Sequence, residues 1–151
     1  MVKAPRLVPG SEANLRYPME SIIRVIYDGL PTVEVREHQA DEQGNVFTLL
    51  RPLPYRTLIV PAGFESDGAS VPRFLWGAVF PRDDRQALFG ALVHDYCYRT
   101  HPVAWTRSGA DTAFYDLMRV GGVPYLRAQK AYWGVRLFGK SAWEAGGKGQ
   151  K

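Results

Sequence analysis

Three ionisable side chains fall where the chain is otherwise apolar. His94 and Asp95 follow Ala87, Leu88, Phe89, Ala91, Leu92 and Val93, and Asp111 lies three positions before Phe114 and four before Tyr115. An imidazole and two carboxylates withdrawn from water are costly unless they pair with one another or with a cation. Brought together, they could do chemistry. A carboxylate that accepts from one ring nitrogen fixes the tautomer and leaves the other nitrogen as a general base. Asp95 projects about 100° around the helix from His94 and could bind a metal. A base with its orienting acid, beside one hard anionic ligand, suits water-dependent ester hydrolysis.

The elements that must position these groups have helical periodicity. Residues 84–99 are apolar along Leu88, Ala91 and Leu92, and again along Ala87, Ala91, His94 and Tyr98, with Asp83 or Asp84 as N-cap. Thr100-His101-Pro102 stops that helix. A second begins at Ser108, carries Phe114, Tyr115 and Met118 on the stripe of Asp111, and ends at Gly121-Gly122. A third opens at Pro124 and runs to Gly139. At ~1.5 Å per residue, His94 and Asp111 stand roughly 7.5 and 4.5 Å from the connection between their helices. They are expected to face each other across an antiparallel hairpin.

Ahead of the helices the pattern is that of strands. Alternation over residues 22–27 is closed by Asp28-Gly29, and a second strand covers 32–37. The polar run His38 to Asn45 is a hairpin loop, Val46 to Leu50 the returning strand, and Thr57 to Val60 a further strand before Pro61 and Gly63. The expected fold is therefore α+β, a small antiparallel sheet followed by a three-helix core. One domain is expected: β-rich over about 20–62, loop and helical over about 63–140, with a flexible tail over about 144–151.

Composition narrows the function classes. The chain has 151 residues, 46% hydrophobic and 23% charged, which is globular rather than disordered. A net charge of +4 favours anionic partners such as a phospholipid surface. No dense Lys/Arg run gives a nucleic-acid footprint. Cys97 is the only cysteine, so an intrachain disulfide is excluded, and it reads as an inert buried thiol. No apolar run reaches the length of a membrane span, and the N-terminus lacks an apolar leader. A soluble protein made in a cytoplasm is the expectation.

Simpler readings compete at each position. Asp111 with Ser108 could be a capping box. His94 and Asp95 could be a satisfied buried network that fixes helix packing. Tyr96, Tyr98, Trp105, Tyr132, Trp133 and Phe138 read as core rather than as a lipid-facing surface, although Arg127, Lys130 and Arg136 on the third helix would suit a membrane. His38 and His101 are not recruited, which disfavours a phosphohydrolase needing further metal-binding histidines. The loop Phe64 to Arg73, with its turn at Asp67-Gly68, could offer carbonyl oxygens to calcium or could simply cap the following segment.

Longer strings carry a resemblance. Pro61-Ala62-Gly63-Phe64, Ser66-Asp67-Gly68-Ala69-Ser70-Val71-Pro72-Arg73, Leu92-Val93-His94-Asp95-Tyr96-Cys97-Tyr98-Arg99 and Ala110-Asp111 with Phe114 and Met118 resemble a domain-of-unknown-function family of tailed phages and prophages. That resemblance implies a phage-encoded protein made in the cytoplasm of a bacterial host, with phage structural proteins as partners and a place in the virion as one destination. More distantly, His94-Asp95 with Tyr98, and Ala110-Asp111 with Phe114, are similar to the two active-site helices of phospholipase A2 in its compact bacterial and viral forms. This second resemblance implies a phospholipase A2-like helical hairpin in which His94 activates water, Asp111 orients His94 and Tyr98 supports Asp111. It implies calcium as cofactor, held by Asp95 and by the loop at Asp67, Gly68 and Ala69. The glycine-rich calcium loop and the disulfides of the secreted enzymes are absent. The alternative expectation is a non-enzymatic tail or capsid component that keeps the His-Asp scaffold.

Overall fold

Period-two alternation does what it predicts. In the computed structural model, which describes residues 21–42, 44–66 and 85–148, Ile23, Val33, Val35, Phe47 and Leu49 turn one sheet face inward. Strands β1 (Ser21–Val25), β2 (Val33–Glu37) and β3 (Phe47–Leu49) pair antiparallel, with Ile23 opposite Val35 and Val35 opposite Leu49. On the outer face Arg24 lies opposite Glu34 and bonds it at 2.8 Å.

Two strands were not expected from the pattern. β4 (Leu53–Tyr55) pairs with β5 (Leu58–Val60) as a separate ribbon, where Pro54 is tolerated because a two-stranded ribbon leaves a free side. β6 (Glu65–Ser66) adds a fourth antiparallel strand beside β3, in the order β1-β2-β3-β6. At two residues it is too short to show any periodicity.

Four helices follow among the described residues, not three. They are α1 (Leu88–Thr100), α2 (Arg107–Val120), α3 (Tyr125–Phe138) and α4 (Lys140–Lys148). The chain expected to be a flexible tail from about residue 144 is thus helical to Lys148. Trp143 explains why. Its ring stacks on His101 at 3.8 Å and meets Tyr98 edge-on at 5.2 Å, while His101 Nε2 donates to the Trp143 carbonyl at 2.7 Å. A histidine read as unrecruited therefore fastens α4 to the end of α1.

Helix starts differ as well. Ala87, not Asp83 or Asp84, stands at the N-cap of α1, and both aspartates lie outside the described residues. The Tyr27 hydroxyl from the sheet side accepts from the Phe89 N–H at 3.2 Å and donates to the Arg85 carbonyl at 2.6 Å. A tertiary contact does the work of a local cap. At α2 the N-cap is Thr106, whose hydroxyl accepts from Gly109 N–H at 3.0 Å, so Ser108 and Asp111 form no capping box.

The inner sheet face packs on α1 through Phe89, Leu92 and Val93, and Ala87, Ala91, Phe114, Met118, Ala128, Ala131 and Val135 join α1, α2 and α3. The core expectation holds for Tyr98 but not for Trp133 and Phe138, which are both exposed on α3. Where α2 ends against the start of α1, a Cβ at Gly121 would lie 2.0 Å from the Gln86 carbonyl oxygen. Gly121→Ala must displace backbone, and it is expected to cost about 1–3 kcal/mol, seen as a lowered thermal midpoint. A midpoint equal to wild type would contradict this packing.

Candidate active site in the helical hairpin

His94 and Tyr98 are four residues apart and so share one face of α1. Asp111 sits in the second turn of α2, on the face turned to α1. The two helices come close because Gly90 has no side chain, since a Cβ there would lie 3.0 Å from the Phe114 carbonyl oxygen. At this approach the three side chains meet. His94 Nε2 lies 2.6 Å from Asp111 Oδ1, and the Tyr98 hydroxyl donates to the same oxygen at 2.7 Å. Arg136 Nη1, from α3, donates to Asp111 Oδ2 at 2.7 Å.

The electrostatics follow from that arrangement. Burial pushes the Asp111 carboxyl up, but the hydrogen bonds it accepts from His94, then Tyr98 and Arg136, outweigh that and hold it below the usual aspartate value. Asp111 is therefore an acceptor only, so the proton of the shared contact belongs to His94 Nε2. When the ring is neutral, that tautomer leaves the lone pair on Nδ1. Burial, then the bond to Asp111, raises the Tyr98 phenol far above its ordinary range, so it stays a donor. The imidazole is held in place between Tyr98 at 4.1 Å and Phe114 at 4.9 Å, centroid to centroid. Neighbouring Cys97 is fully buried, and its thiol is pushed up to about 12, which leaves it inert.

Asp95 lies apart from this cluster. Its Oδ2 pairs with Arg99 Nη2 at 2.9 Å, four residues along α1. The same guanidinium donates to the Glu65 carbonyl at 2.7 Å and to Asn45 Oδ1 at 2.9 Å, and lies 5.5 Å over the Phe64 ring. Arg99 thus ties Asp95 to β6, the strand that leads toward Asp67. Asp67, Gly68 and Ala69 lie outside the described residues. Among the described residues no group of three His, Cys, Asp or Glu side chains could hold a metal ion. Of the expected calcium ligands only Asp95 is therefore in view, and Arg99 balances its charge.

Two residues were missed. Arg99 had a local sign, since Asp-x-x-x-Arg on a helix places the two heads together. Arg136 had none, because it reaches Asp111 from a helix 25 residues further on. Arg107 holds that helix in position by donating to the Arg136 carbonyl at 2.6 Å.

The class so defined is an α+β protein whose helical hairpin buries a His-Asp-Tyr cluster closed by an arginine. The chain belongs to a family described as protein of unknown function DUF1353, whose model matches residues 47–135, more than half its length. It is also similar to the uncharacterized protein y4jT of Sinorhizobium fredii (strain NBRC 101917 / NGR234), 35% identical over 82 residues. That stretch is 53% of this chain but 23% of the relative, so the chain spans less than a quarter of that protein's length. No solved structure matches.

Proposed function

We propose that the hairpin is a hydrolytic centre of the phospholipase A2 type, acting on the ester of a phospholipid or a related lipid. The observation that carries the reading is the single carboxylate of Asp111, which accepts from both His94 Nε2 and Tyr98 Oη. In this mechanism His94 takes a proton from water at Nδ1 as the water oxygen attacks the ester carbonyl. Asp111 holds the ring in its tautomer and stabilises the imidazolium that forms. Tyr98 and Arg136 keep Asp111 ionised and fixed. The proton then passes from Nδ1 to the leaving alkoxide, which restores the neutral ring.

Calcium belongs to the same proposal, with Asp95 supplying a carboxylate and the loop at Asp67, Gly68 and Ala69 supplying oxygens. Its chemistry, once bound, is to polarise the ester carbonyl. Asp95 must leave Arg99 to serve. The resemblance to phage and prophage chains makes the protein phage-encoded in this reading.

The test is fatty-acid release from dispersed phosphatidylglycerol, followed with calcium and after chelation. Turnover that depends on calcium, with a thermal midpoint raised by calcium, is the expected result. An absence of turnover under both conditions would count against hydrolysis, and turnover indifferent to chelation would remove calcium alone.

One observation favours a second reading. His94 and Asp111 are only 1% and 0% exposed, as in a network that serves to lock helices together. On that reading the protein is a non-enzymatic tail or capsid component. Mass spectrometry of purified phage particles would detect it there.

A further inference from the structure

Helix α3 carries an exposed face that its packing does not explain. Its buried residues are Ala128, Ala131, Gly134 and Val135, which turn one side toward α1 and α2. On the opposite side Leu126, Trp133 and Leu137 stand at i, i+7 and i+11, within about 40° of one another around the axis. Each is more than half exposed, as are Tyr125 and Phe138 at the two ends of the helix. Ten large hydrophobic side chains are exposed among the described residues, and five of them lie on this one helix. Clustering of that kind, unlike scattered exposure, marks a surface that meets something apolar.

The charges say what kind of surface. The sequence of α3, YLRAQKAYWGVRLF, contains no acid. Lys130, at i+4, stands about 20° beyond the edge of the stripe. Arg119 of α2, which donates to the Val123 carbonyl at 2.9 Å through Nη1, stands 5.9 Å over the Tyr125 ring and adds a second cation at the near end. Arg136 turns inward to buried Asp111 and belongs to the site. Aromatic and leucine side chains with interleaved lysine and arginine suit the headgroup boundary of an anionic bilayer, where long basic side chains reach up to phosphate while the rings and leucines sink.

We propose that α3 docks flat on an anionic phospholipid surface through Leu126, Trp133 and Leu137, with Lys130 and Arg119 on the lipid phosphates. The docking serves the hydrolytic reading by bringing the hairpin to its substrate, and it rests on that reading only for its purpose. The face itself binds whether or not the site turns over.

The experiment is sedimentation of the whole protein with sucrose-loaded vesicles. One set is phosphatidylcholine alone, and the other is equal parts phosphatidylcholine and phosphatidylglycerol. Binding is expected to the second set, weakened by added salt. It should fall about fivefold for Lys130→Gln, as one basic contact is lost, and more than about tenfold for Leu126→Ser with Leu137→Ser. Both leucines are exposed, so these variants should fold, and circular dichroism checks that they do. A His94→Gln variant should bind vesicles as wild type does, and the leucine pair variant should hydrolyse a soluble monomeric ester at the wild-type rate. A failure of docking is thereby separated from a failure of catalysis. Absent binding to the anionic vesicles, equal binding to both sets, or binding that survives the leucine substitutions would overturn the proposal. So would a concentration-dependent dimer lost in the same variants without vesicle binding, which would assign the face to a second copy of the chain.

Discussion

Asp111→Ala is expected to lower the unfolding free energy by about 3–5 kcal/mol, the usual cost of removing one partner from a buried ion pair. Three donors lose their acceptor at once. The His94 Nε2–H and the Tyr98 hydroxyl remain buried with nothing to replace Asp111 Oδ1, and Arg136 loses the anion at 2.7 Å. A void is left as well. In a chain of this size each kcal/mol moves the thermal midpoint by roughly 2–4 °C, so the loss should be plain in a melting curve. Asp111→Asn keeps the volume but cannot accept at both ends, because its amide nitrogen must face either Arg136 or the His94–Tyr98 pair. It should fall between wild type and Asp111→Ala.

The same group contributes to the acid limit of the fold. Its folded pKa is depressed below the ordinary aspartate value, so the unfolded chain binds the proton first as pH falls. The stability it contributes is present above about pH 4, the unfolded value, and is lost as pH drops through the folded one. A melting midpoint that declines below about pH 4 in wild type, and declines less in Asp111→Asn, is the expected pattern. Identical acid profiles for the two proteins would mean that Asp111 carries no such linkage.

How much of this was legible depended on which forces acted locally. The strands around Ile23, Val35 and Leu49 could be read because one buried face imposes a period of two on the sequence. The facing of His94 and Asp111 could be read because a helix keeps fixed geometry, so depth from a short connection predicts who meets across it. The cap of α1 could not be read, since it is supplied by Tyr27, which lies 58 residues before Arg85 in the chain. Nor could Arg136, whose approach depends on how α3 packs. The helix at Lys140–Lys148 was masked by its own glycines, and only the seating of Trp143 on His101 and Tyr98 accounts for it. Trp133 misled for the opposite reason. An aromatic residue in an amphipathic helix reads as core, and only the packed structure shows Ala128, Ala131 and Val135 taking the inner side.

His94→Gln is the substitution that isolates chemistry from packing. A glutamine amide can still donate to Asp111 Oδ1 and nearly fills the ring's place, but it has no basic nitrogen to take a proton from water. General-base catalysis of this kind is worth about 10²–10⁴ in rate, and that is the expected loss. The fold should persist, because Tyr98 and Arg136 keep their acceptor. The most direct measurement is the initial rate of fatty-acid release from phosphatidylglycerol, with calcium, by equal amounts of folded wild type and His94→Gln. Clear release by wild type with at least a hundredfold lower rate in the variant is the predicted result. Equal rates in the two proteins, or a wild type no faster than buffer, would contradict a water-activating role for His94.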